Sequence, residues 1–125
     1  MTDLLADGMQ RMADLRDTFA ATSVVYRRGS SSVAVRATVG KTDFRVVDVD
    51  GNYVRTTQRD YLITAAALVL DGSPIVPQRG DLIDQPIGET TFRYEVNALP
   101  GEQVYRPSDP AGVTLRVHVT LKGPL

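Results

Sequence analysis

The chain has 125 residues, 14 basic and 15 acidic side chains, a net charge of −1, 42% apolar residues and no cysteine. That length suits a single domain over residues 1–125 with its own core, and the apolar share argues for a packed globule. The missing thiols exclude disulfides, thiolate zinc sites and cysteine nucleophiles, and near-neutrality removes the overall signature of a nucleic-acid binder.

The first segment predicts a helix, over residues 3–20 in round numbers. Leu5, Met9, Met12, Leu15 and Phe19 recur at spacings of three and four, giving one apolar stripe. Thr2 or Asp3 can cap its start, and Asp3 and Asp7 sit where the helix dipole favours negative charge. From Ser23 the apolar period changes to two. Val24–Arg28 predicts a short strand, Gly29–Ser32 a loop, and Val33, Val35, Ala37 and Val39 one face of a second strand. Phe44–Val49 runs into Asp50-Gly51-Asn52, a hairpin signal, and the chain returns through Tyr53–Gln58.

Tyr61–Leu70 begins as a strand, but its alanine run also suits a helical turn. Asp71-Gly72 ends it, and Pro74 and Pro77 keep the next stretch extended. Leu82-Ile83 and Phe92–Val96 predict strands, and Pro100-Gly101 turns the chain into Gln103–Arg106. In the last strand Val113, Leu115, Val117, Val119 and Leu121 face one way, and Thr114, Arg116, His118, Thr120 and Lys122 the other. The expected fold is mainly β: a small antiparallel β-barrel or sandwich, residues 23–122, behind one N-terminal α-helix. The N-terminus lacks a signal-peptide hydrophobic region, and the longest apolar run, Ala65–Leu70, cannot span a bilayer. A soluble, intracellularly made chain without membrane contact is expected.

Catalytic groups are sparse. The one histidine, His118, lies on the polar face of a regular strand, which reads more simply as a solvated or interface residue than as a base or metal ligand. Asp48 with Asp50 and Asp81 with Asp84 are the carboxylate pairs that a hard cation would need, yet Asp-Gly and Gly-Asp are also what turns demand. Serines 30–32 and Ser108 lack a nucleophile-elbow context. No catalytic residue, cofactor or metal is expected. Arg27-Arg28, and Arg55 with Arg59 near Tyr53 and Tyr61, would suit stacking on single-stranded bases; the competing reading pairs these arginines with acidic groups on neighbouring subunits. A nucleic-acid-binding β-barrel module and, behind it, a small enzyme stay open as alternatives to a structural subunit.

Two stretches carry a resemblance. "RDYLITAAALVLDGSPI" (Arg59–Ile75) leads into "IVPQRGDLI" (Ile75–Ile83), and "YRPSDPAGVTLRVH" spans Tyr105–His118. Together they resemble the head–tail joining, or tail-attachment, proteins of tailed bacteriophages and prophages. Matching positions are Arg59, Asp60, Pro77, Gly80, Asp81, Tyr105, Arg106, Ser108, Asp109, Pro110, Arg116 and His118. The resemblance implies a non-enzymatic ring subunit of the virion neck, made in the host bacterial cytoplasm. Its implied partners are portal or adaptor proteins on one side and tail-tube or tail-terminator proteins on the other, with non-specific DNA contact in the lumen. Expected assembly residues are Arg59, Arg79, Asp81, Arg106, Asp109, Arg116, His118 and Lys122. Arg116, His118 and Lys122 are expected to form a polar stripe toward a neighbour or the lumen, so that Arg116→Ala or His118→Ala impairs assembly and leaves the fold intact.

Overall fold

A computed structural model describes residues 21–125, and the expected helix over residues 3–20 lies outside them. Among the described residues the chain is mainly strand: β1 (Thr22–Arg28), β2 (Ser31–Val47), β3 (Tyr53–Thr64), β4 (Val69–Leu70), β5 (Ser73–Pro74), β6 (Leu82–Ile87), β7 (Thr90–Val96), β8 (Tyr105–Pro107) and β9 (Thr114–Pro124). The ambiguous stretch resolves by halves. Tyr61–Thr64 finishes β3, and Ala65–Ala67 makes one 3-10 turn.

The strands pair antiparallel in the order β3-β2-β1-β6-β7-β9-β8, and β3 also pairs with β9. The first six therefore form a closed ring in which every strand has two neighbours. Closure removes the exposed edges that an open sheet would present. The ring is strongly staggered: β2 spends its first half on β1 and its second on β3, and only Ala37 is paired to both. β9 divides its other edge in the same way, between β8 at Leu115–Val117 and β7 from Val119 onward.

Period-two alternation puts Val24, Tyr26, Val35, Ala37, Tyr61, Ile63, Ile83, Tyr94, Val96, Leu115, Val117 and Val119 in one buried cluster. Three tyrosines supply the bulk that valines alone would not, and Tyr61 meets Tyr94 edge-on at 5.7 Å. Leu68 and Leu70, brought in by the 3-10 turn and β4, add to the same core. β4 and β5 are joined by Asp71-Gly72, with φ of 52° and 80°. Two successive positive φ values are the geometry of a tight hairpin turn, which Asp-Gly tolerates.

One part leaves the ring. β9 pairs with β3 only from Arg59 to Thr64, while the β2–β3 register continues from Lys41↔Arg59 out to Val47↔Tyr53. Beyond Arg59 the two strands have only each other as strand partners among the described residues; Gln58 Nε2 still donates to the Asn97 carbonyl and Phe44 still packs on His118, so the arm is free from Arg45 and Arg55 outward. At about 3.4 Å per residue, the three residues Tyr53–Arg55 carry this arm roughly 10 Å out, and the turn adds to that. Its turn is held by Asp48, whose Oδ1 accepts the N–H groups of Asp50 and Asn52, each at 2.9 Å, and by Gly51 at φ 83°.

Candidate functional site

Four polar clusters brace the ring, and each consumes residues with chemical potential. Asp60 of β3, fully buried, accepts from His118 Nδ1 at 2.5 Å, from Arg116 Nη1 at 2.8 Å and from the Thr42 hydroxyl. β3 and β9 bring these groups together because Asp60 is registered opposite His118 and Leu62 opposite Arg116. Burial alone would raise the Asp60 pKa, but donors from His118, Thr42 and Arg116 outweigh it and hold the carboxyl below its ordinary value. An ionised Asp60 can only accept, so His118 Nδ1 carries the proton. Phe44 packs edge-on against the imidazole at 5.4 Å.

Asp81 accepts from Arg28 Nε at 2.9 Å and Nη2 at 2.8 Å, from the Gln78 N–H at 3.0 Å and from the Tyr26 hydroxyl. Asp84 accepts from Arg27 Nε at 2.7 Å and Arg93 Nε at 2.8 Å. Both carboxyls lie below their ordinary pKa; burial opposes the shift at Asp81, where the Arg28 donor leads, and the Arg93 donor leads at Asp84. Asp81, in the turn before β6, and Asp84, within it, are held by different arginines and do not form a shared carboxylate site. In the fourth cluster Gln85 Oε1 accepts from Arg59 Nη2 at 2.7 Å and the Tyr61 hydroxyl at 2.6 Å. The Arg59 guanidinium lies 5.3 Å from the Tyr61 ring centre and 4.7 Å from that of Tyr94. Burial pushes the Tyr61 phenol up to about 12.

The arginines read from the sequence as candidates for stacking on bases, or for pairing with neighbours, are thus engaged within their own chain at Arg27, Arg28 and Arg59. His118, expected on a solvated stripe, is 2% exposed. Arg116 joins it at Asp60, while Lys122 stands apart, 3.6 Å from Glu95. Asp81 is buried as an ion-pair anchor. Asp109 closes a turn by accepting the N–H groups of Val113 at 3.0 Å and Thr114 at 2.8 Å. Arg79 is exposed and reaches Asn97, and Arg106 is exposed beside Arg116 across the β8–β9 pair.

What the clusters leave free is the arm. Val47, Val49, Tyr53 and Val54 are exposed, Val49 fully so at 102%. Val47↔Tyr53 lies on one face and Val46↔Val54 on the other, so the far end of the arm is apolar on both sides. Next to it Arg45 and Arg55 face one another with no carboxylate between them, an arrangement that costs an isolated hairpin stability. At the arm's root a groove of about 510 Å³ is lined by Val39, Gly40, Lys41, Thr57 and Arg59. Sequence reasoning treated 44–58 as an ordinary hairpin. The signal was there in the doublets Val46-Val47 and Tyr53-Val54, which break the alternation of a strand with one wet face.

The family model described as phage head-tail joining protein matches residues 2–124 of the chain. Comparison with curated proteins finds no match.

Proposed function

Starting from the fact that the chain belongs to the phage head-tail joining protein family, we propose that it is a structural ring subunit of the virion neck. In that role it joins the DNA-filled head to the tail, contacting portal or adaptor proteins on one side and tail-tube or terminator proteins on the other. DNA passing through the ring's lumen would meet it without sequence preference. The carrying observation is the family match over residues 2–124.

The fold suits this work. A ring of strands in which β3 returns to pair with β9 leaves few open edges, and this one is cross-braced by buried aspartates that each hold two or more donors. Such a body can be gripped on several sides without opening. The groups that an enzyme would use are engaged in that bracing: His118 is buried against Asp60 and Phe44, and Asp81 and Asp84 are each pinned by arginine. Adhesion falls to what remains outside, the arm and the exposed Arg79, Arg106 and Lys122.

Deleting the gene from the phage or prophage that carries it should leave DNA-filled heads and finished tails unjoined in electron micrographs. Adding the purified protein to that lysate should restore joined, infectious particles. Normal yields of joined particles in the deletion strain would overturn the assignment.

A further inference from the structure

We propose that the tip of the β2–β3 arm docks into the groove at the root of the same arm on a second copy of this chain. The inference rests on the ring-subunit role proposed above and names the surfaces by which neighbours meet.

The two surfaces are complementary in three respects. The tip is apolar on both faces, with Val46, Val47, Val49, Tyr53 and Val54 around one turn, and such an end is covered only by entering a concave partner. The groove is concave, about 510 Å³, and Val39 offers it an apolar wall that is 40% exposed. In charge, the turn 48–52 contains Asp48 and Asp50 and no cation, with Arg45 over the Tyr53 ring and Arg55 behind it, whereas the groove lining carries Lys41, with Asp43 held at its edge by Thr57. Asp48 is committed to the turn, so the free carboxylate at the tip is that of Asp50. In the groove Lys41 is exposed and forms no ion pair among the described residues, whereas Arg59 is taken up by Gln85 and the rings of Tyr61 and Tyr94. An arriving carboxylate therefore finds the unspent ammonium of Lys41.

Reach and symmetry agree with this. The arm extends roughly 10 Å, with its turn beyond that, past its last contacts with its own ring, and its root and tip are different patches of one chain. A contact between unlike patches leaves one tip and one groove free on every pair, so it repeats until the assembly closes. This is the interface type that a ring requires.

The chain has no cysteine, so introduced thiols report unambiguously. Val49→Cys marks the tip and Thr57→Cys the groove, both at exposed positions whose folding is checked by circular dichroism. Particles assembled from a mixture of the two variants should yield a covalent dimer under a short bismaleimide, and particles made from either variant alone should not. Adding Asp50→Lys to the tip variant should lower that yield at least about fivefold, and adding Lys41→Glu to the groove variant should restore it. Joined particles in which the mixed variants give no dimer, or in which Val49→Cys is captured by a head or tail protein instead, would overturn the docking while leaving the neck role standing. A dimer whose yield ignores both charge changes would overturn the pairing of Asp50 with the groove.

Discussion

Asp60, fully buried, holds donors from three side chains, so its loss leaves three groups without their acceptor. Asp60→Ala would strand His118 and the Arg116 guanidinium opposite one another with no anion between them. Removing one member of a buried ionic cluster typically costs several kcal/mol, and Arg116, whose side chain is 24% exposed, recovers part of that by turning to water. A loss of about 2–3 kcal/mol is expected in urea denaturation. His118→Ala removes one donor and an aromatic contact to Phe44, so it should also cost stability, against the sequence expectation that the fold would be indifferent. An unchanged midpoint for Asp60→Ala would mean that the cluster is ornamental. Gly40 belongs to the same site: it is registered opposite Asp60, and a Cβ there would come within 3.4 Å of Arg116 Nη1.

The arm beyond Arg59 is the element with least to hold it, because its strands pair only with each other, Phe44 and Gln58 are its last ties to the ring, and a lone two-stranded hairpin is marginal in water. Amide exchange should therefore be fastest at 42–57 and slowest in β1, β6 and the first half of β9, which lie inside the closed ring. Arg55→Glu converts the Arg45↔Arg55 clash into an opposite-charge pair and should strengthen the free arm by about 0.5 kcal/mol, read as slower exchange confined to those residues. Protection spreading evenly over the whole chain would contradict the arm's independence. Most of these elements were legible in the sequence for a plain reason: half-buried strands alternate, and Asp50-Gly51 and Asp71-Gly72 write their turns in residue types. Which strands pair was not legible, since closing β3 on β9 depends on residues such as Asp60 and His118, 58 positions apart. The fate of the charged groups was hidden for the same reason. His118 sits on what looks like a polar face, and only the partner strand turns that face into a buried one.

For the molecule as a whole, these buried groups determine how stability follows pH. Asp60, Asp81, Asp84 and Asp109 all have folded pKa values below their ordinary 3.8. A depressed carboxyl binds protons less readily folded than unfolded, so its contribution is complete above the unfolded value and drains away as pH falls through the folded one. The tyrosines have the opposite sign. Tyr61, raised from 10.0 to about 12, and Tyr26, raised further by burial beside Asp81, favour the folded state until pH climbs past 10.0, where the unfolded phenols begin to ionise. The urea midpoint should therefore show no pH dependence from these six groups between about pH 5 and 9, where their contribution is complete, fall steeply below pH 3.8 and decline again above pH 10.0. Asp60→Asn should flatten the acid limb, because the carboxyl with the most side-chain donors no longer titrates, and Tyr61→Phe should flatten the alkaline one. An acid limb of full steepness in Asp60→Asn would place the acid sensitivity in another group, and Asp60 would then not be the carboxylate whose protonation loosens the ring.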